Sequence, residues 1–117
     1  MDVIRTMIVD DHTLFRKGLR LPLEHSEGLE VVGEASAGPE AVALAEELVP
    51  DVVLMDIQMP DMSGIEATKW ILQENPHIGI ILVTMFDNAE SVLAGMRAGA
   101  RGYALKGAEP DELKHVI

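Results

Sequence analysis

Short runs of apolar and β-branched residues alternate along the chain with longer stretches whose apolar positions recur every three or four residues. The short runs, Val3–Val9, Glu30–Ala35, Val52–Met55, Ile78–Val83 and Gly102–Leu105, predict strands. VVLM and IGIILV are apolar without interruption, as strands covered on both faces should be. The stretches between them, FRKGLRLPLE, PEAVALAEEL, GIEATKWILQE and AESVLAGMRA, have the helical period. Strands alternating with helices in this way predict an α/β fold, a doubly wound five-stranded parallel sheet joined by crossover helices.

Punctuation supports those boundaries. Pro39 and Pro110 sit where a first helical turn tolerates a missing N–H, and Ser63 with Glu66, like Asp87 with Glu90, has capping-box spacing. Pro22 is discordant, because inside a helix it removes a hydrogen bond and crowds the preceding turn, so the first helix is expected to kink or end near Leu21. A last helix, DELKHVI, stops at Ile117 without a Gly or Asn cap, which predicts a fifth helix truncated in mid-course. There is no internal repeat or linker, so residues 1–117 read as one domain.

Composition narrows the function classes. Nine basic against twenty acidic residues leave a net charge of −11, a field that repels nucleic acid and anionic lipid, so DNA contact by this segment and membrane binding are not expected. The absence of cysteine removes disulfides and thiolate metal sites. No run approaches the roughly 20 apolar residues that span a bilayer, and no signal peptide is evident, which predicts a soluble cytoplasmic protein.

Chemistry gathers at the strand ends. The first strand ends in Asp10 and Asp11, the third in Asp56, the fourth in Thr84 and the fifth in Lys106. In an open doubly wound sheet all these ends share one edge, and ligands bind there where the strand order reverses. The order 2-1-3-4-5, which comes with the fold class rather than from individual residues, makes strands one and three neighbours and brings Asp10, Asp11 and Asp56 together. Carboxylates about 4 Å apart repel by roughly 4 kcal/mol per pair at an effective dielectric of 20, so a cation is required. Oxygen-only ligands favour a hard ion, and a few carboxylates suit octahedral Mg²⁺. One carboxylate is then free to attack phosphorus while Thr84 and Lys106 hold the transferring oxygens.

Plainer readings exist for each residue alone. Adjacent aspartates after a strand ordinarily make a turn and cap the next helix. Tyr103 could be core. His12, His25, His77 and His115 are scattered without ligand spacing and are assigned no chemistry, the methionines read as gap-filling core, and Glu40, Glu46 and Glu47 as a solvated helix face. The joint placement of five polar groups at strand ends is what these readings leave unexplained.

DDH after strand one, LMDIQMPDMSGIEA around Asp56, LVTMFD at Thr84 and GYALKGA at Lys106 together resemble a bacterial two-component response regulator receiver domain across the whole chain. DDHTLFRKGLR, MPDMSGIEA and TMFD further resemble the NarL/FixJ branch, with its LuxR-type output. The resemblance implies the flavodoxin-like receiver fold and a C-terminal DNA-binding helix-turn-helix domain in the full-length protein, absent here. It implies Asp56 as the phosphorylation site, Asp10 and Asp11 as Mg²⁺ ligands with Asp56 and the main-chain carbonyl of Gln58, and Thr84 and Lys106 as partners of the phosphoryl group. Thr84 and Tyr103 would form the switch. The implied partners are a sensor histidine kinase, small phosphodonors and a second copy on phosphorylation, with DNA reached only through the missing domain.

Two positions depart from the pattern. Met85 stands where receivers commonly carry a small residue, and could shield the phosphorylated site or turn into the core behind it; Gly107 stands where proline is frequent. Among competing functions, a haloacid-dehalogenase-like phosphatase needs a second Asp two residues after the nucleophile, where this chain has Gln58. A flavodoxin-like flavin carrier is poorly served by 3% aromatic residues, and a degenerate receiver would lack part of a site that is complete here. The chain is therefore expected to be a signalling switch that catalyses only its own phosphoryl transfer and dephosphorylation.

Overall fold

A computed structural model of the chain describes residues 3–85, 89–107 and 117. The elements alternate as predicted: β1 (Ile4–Val9), α1 (Thr13–Glu24), β2 (Leu29–Ala35), α2 (Gly38–Leu48), β3 (Val52–Asp56), α3 (Gly64–Glu74), β4 (Gly79–Thr84), α4 (Ala89–Arg97) and β5 (Gly102–Leu105). All strand pairs are parallel, in the order β2-β1-β3-β4-β5. Asp56 and Thr84 are the last residues of their strands rather than the first beyond them, so the ladder itself holds their backbones. The segment expected to form a fifth helix, with Pro110 and Asp87, lies outside the described residues.

The sheet divides the core in two. Met7, Val9, Val53, Met55, Ile80 and Leu82 point to one face, where Ala41 and Ala45 of α2 and Ala67 and Ile71 of α3 close over them. Ile8, Val52, Leu54, Ile81 and Val83 point to the other, against Leu19 and Leu23 of α1, with Ile117 packed at its margin. Period-two alternation decides which face each side chain takes, and because both faces are covered the central strands carry apolar residues at nearly every position. β5 at the edge is less protected, with Tyr103 and Leu105 exposed. No helix of the described residues is long and apolar enough to cross a membrane.

Pro22 does not end α1 near Leu21: the helix runs on to Glu24. The carbonyl that loses its donor is that of Gly18, on the exposed side of the helix and open to water. The final turn is secured instead by His25 N–H donating to Leu21 O at 3.2 Å and Ser26 Oγ donating to Pro22 O at 2.8 Å. The two other predicted helix starts that fall within the described residues hold. Ser63 Oγ accepts from Glu66 N–H at 3.1 Å at the start of α3, and Pro39 occupies the first turn of α2.

Helix α2 ends on Val49, a β-branched residue in the left-handed region at φ 45° whose N–H donates to Ala45 O at 2.8 Å. That conformation costs a non-glycine residue about 1–2 kcal/mol, and the side chain is 48% exposed, so burial returns little. Val49→Gly is therefore expected to stabilise the domain by about 0.5–1 kcal/mol after the entropy that glycine adds to the unfolded chain, a rise of several degrees in melting temperature. A lower melting temperature in calorimetry would contradict the strain.

Candidate functional site

The parallel sheet delivers Asp10, Asp56, Thr84 and Lys106 to one edge because each lies at or just beyond the carboxyl end of a strand. Asp10 is buried and its N–H continues the ladder onto Ala35 O at 3.0 Å. Its Oδ1 accepts from His12 N–H at 2.8 Å, which makes the turn expected of an aspartate after a strand but not a cap, since the N-cap of α1 is His12, without a side-chain cap bond; its Oδ2 lies 2.8 Å from Lys106 Nζ. One residue thus performs both its local role and its role in the site. Arg16 of α1 fixes the same backbone by donating to Asp10 O at 2.6 Å, and is itself held by Glu34 of β2 at 3.1 Å.

Asp56 is buried, with Oδ1 accepting from Gln58 N–H at 3.3 Å and Oδ2 at 3.3 Å from Lys106 Nζ. The loop after β3 presses against it. Gly64 N–H donates to Ile57 O at 2.8 Å, Asp61 turns the chain in the left-handed region at φ 66°, and a Cβ on Gly64 would lie 2.0 Å from the Asp56 carbonyl oxygen. Only glycine permits that approach. Lys106, held by its N–H donating to Thr84 O at 2.8 Å, also places its ammonium 5.1 Å from the centre of the Phe15 ring.

The electrostatics follow from crowding. Burial, and then the charge of Asp10, push the Asp56 carboxyl up to about 6 against the opposing pull of Lys106. Lys106 is raised: burial works against its charge, but the close ion pair with Asp10 and the charge of Asp56 prevail. Farther out, burial raises the Glu34 carboxyl while hydrogen bonds from Arg20 and Arg16 outweigh it and hold Glu34 below the usual range. Asp10 Oδ2, Asp11 Oδ1 and Asp56 Oδ2 remain buried with no hydrogen-bond donor directed at them, although Lys106 balances two of them as an ion pair. Buried anionic oxygens in that condition suit a bound cation.

An open pocket of about 640 Å³ lies over these groups, lined by Asp11, His12, Asp56, Gln58, Thr84, Met85 and Lys106 among others. All the expected site side chains except Tyr103 are therefore gathered at one place; Asp10 lies just beneath. Tyr103 is on the edge strand, paired with Leu82 and 43% exposed, so it is not core. Met85 is 63% exposed and lines the pocket, which excludes the reading that it fills the core behind the site; Met96 is exposed as well, so gap-filling does not describe every methionine.

His12 is the residue that was assigned no chemistry and stands in the site. Its Nδ1 lies 3.0 Å from Asp10 Oδ1, 3.2 Å from Asp11 Oδ1 and 3.2 Å from Lys106 Nζ. Spacing among the four histidines could not reveal it, and the available signal was adjacency to the aspartate pair. Arg16 and Gly64 were also missed as supports of the site, because their contacts are to main-chain atoms of Asp10, Asp56 and Ile57, which carry no side-chain signal in the sequence.

The profile of the response regulator receiver domain matches residues 6–117. The chain belongs to that family. It is 46% identical over 110 residues to the uncharacterised transcriptional regulatory protein YhcZ of Bacillus subtilis, covering 94% of this chain and 51% of that protein. It therefore spans about half the length of the curated relatives it matches. Among solved structures it is similar to a two-component response regulator of the LuxR family from Aurantimonas sp., with a TM-score of 0.92 at 39% identity over 97% of this chain and 81% of that one. The receiver domain of the response regulator NarL from Mycobacterium tuberculosis gives 0.91 at 32% identity over 99% and 94%.

A group whose folded pKa is raised contributes stability below its unfolded value and loses it as pH rises through the folded value. For Asp56 the window runs from about 3.8 to about 6. Without metal, Asp56→Asn should therefore become progressively more stable than the wild type between pH 4 and 7. The difference should grow by on the order of 2–3 kcal/mol at 1.36 kcal/mol per unit. Urea unfolding in chelator across that range measures it; a difference independent of pH would mean that Asp56 is not strained by ionisation.

Proposed function

We propose that this domain is a phosphorylation-activated switch that accepts a phosphoryl group on Asp56 from a sensor histidine kinase with Mg²⁺. The observation that carries the reading is the Asp56 carboxylate itself. One oxygen is undirected toward any donor, 3.3 Å from an ammonium, at the floor of an open pocket. In-line attack by that oxygen forms the O–P bond as the N–P bond of the phosphohistidine breaks, and small acyl phosphates can serve as alternative donors. Lys106 and the Thr84 hydroxyl take the phosphoryl oxygens. Asp10, Asp11, Asp56 and the Gln58 main-chain carbonyl would hold Mg²⁺, which supplies positive charge to the transferring group.

The conformational consequence starts at Thr84. A phosphoryl group adds about −1.5 to −2 charge and acceptor oxygens, and drawing the Thr84 hydroxyl toward them opens space into which Tyr103 can turn from the exposed edge. Leu93 and Met96 of α4 and Tyr103 and Leu105 of β5 are exposed apolar side chains, which this reading takes together as one docking surface. On this reading that surface pairs with a second copy or engages a C-terminal DNA-binding domain, and the whole protein regulates transcription from the cytoplasm. Residues 1–117 would be the response regulatory domain of that longer protein. The relatives' names as transcriptional regulators and the twofold difference in length support this extension.

Intact-mass measurement after a small phosphodonor and Mg²⁺ tests the reaction. One phosphoryl group is expected on the wild type and none on Asp56→Ala; equal labelling of both would refute the assignment.

Met85 bears on how long the phosphoryl group lasts. Its side chain is exposed and forms part of the pocket wall, and on this reading it shields the phosphorus from the water that must approach in line. Met85→Ala is expected to dephosphorylate faster in excess Mg²⁺ with little change in melting temperature, since an exposed side chain leaves no core cavity. Equal or slower decay would sink the shielding role.

A further inference from the structure

His12 stands among the carboxylates without a part in the phosphoryl chemistry described above. Asp10, Asp11, His12 and Asp56 each offer a ligand atom, and all four atoms lie within 4.8 Å of one another. Two ligand atoms cis on an ion at about 2.1 Å stand about 3.0 Å apart. The distances from His12 Nδ1 to the oxygens of Asp10 and Asp11 are 3.0 and 3.2 Å. The nitrogen thus stands at the spacing of a coordination edge. Independently, Asp10 Oδ2 and Asp56 Oδ2 are buried oxygens with no directed donor, on side chains 1% and 3% exposed.

In either neutral tautomer Nδ1 is satisfied on one side and opposed on the other. If Nδ1 carries the proton, it donates to Asp10 Oδ1 at 3.0 Å but sets donor against donor at the ammonium of Lys106, 3.2 Å away. If it does not, it accepts from Lys106 while its lone pair also faces the carboxylate oxygens of Asp10 and Asp11. A cation at the common centre makes the lone pair and both carboxylates ligands together.

We infer that His12 Nδ1 is a direct ligand in this site, making it a mixed nitrogen–oxygen centre that selects divalent first-row transition cations such as Mn²⁺ and Co²⁺ over Mg²⁺. The inference rests on reading the acidic cluster as a metal site and adds its selectivity. Imidazole nitrogen binds borderline ions well and hard Mg²⁺ poorly, so its presence separates ions that carboxylates alone would treat more alike. His12 is exposed enough, at 60%, to be replaced without disturbing the core.

The test uses the 117-residue chain and the metals themselves. Titration of wild type and His12→Ala with Co²⁺ and with Mg²⁺ is expected to show at least a tenfold loss of Co²⁺ affinity in the variant and less than a threefold change for Mg²⁺. Pulsed electron paramagnetic resonance of bound Mn²⁺ should reveal coupling to a directly bound nitrogen in the wild type and none in His12→Ala. The wild-type signal does not depend on how the variant folds. Equal losses for both metals, or no nitrogen coupling in the wild type, would overturn the inference. Mg²⁺ binding with normal phosphoryl acceptance but no nitrogen coupling removes His12 alone. Nitrogen coupling without Mg²⁺ binding upholds His12 and removes Mg²⁺ from the proposed function. No binding of any of these metals removes both.

Discussion

Two neighbouring strands, β1 and β3, end in aspartates at the same edge of the sheet, and the ammonium of Lys106 sits 2.8 Å from one carboxylate and 3.3 Å from the other. Charges at such separations interact by several kcal/mol at an effective dielectric near 20, a large fraction of the stability of a domain this size. Without that ammonium, burial of Asp10 and Asp56 side by side would be untenable unless one were protonated. With it, the edge carries concentrated negative charge and keeps undirected oxygens available. The arrangement is costly to the resting fold, and a bound cation would relieve it.

The scaffold answers that cost with rigid supports that do not themselves touch the pocket. Arg16 grips the Asp10 carbonyl and is anchored to β2 through Glu34, which Arg20 also holds. The loop after β3 lies so close that Gly64 meets the Asp56 backbone where any side chain would collide. Such contacts place the Asp56 carboxylate through main-chain positions rather than through its own oxygens. Helix α4 is attached differently. Gly95 is its buried residue, resting on Leu82, and its apolar Leu93 and Met96 face outward. A helix so lightly seated can shift at less cost than α2 or α3, which bury several residues each.

Hydrophobic periodicity alone was enough to place nine elements within a residue or two, because a parallel sheet covered on both faces imposes nearly continuous apolar strands and amphipathic helices between them. The strand-end positions of Asp10, Asp11, Asp56, Thr84 and Lys106 were equally legible, since β-topology converts a position in the sequence into a position on an edge. Pro22 did not end the first helix, because its effect depends on where the orphaned carbonyl points, and Gly18 is exposed to water.

What only the tertiary structure decided were the contacts between residues distant along the chain. His12 and Lys106 are 94 positions apart and meet at 3.2 Å, which no local pattern encodes. The exposure of Met85 and Tyr103 was likewise undetermined, because a methionine or tyrosine satisfies a core and a pocket wall by the same composition. Residue type and period specify which face of an element is apolar. They do not specify which side chains of different elements converge, because that depends on loop paths and sheet twist summed over the whole fold.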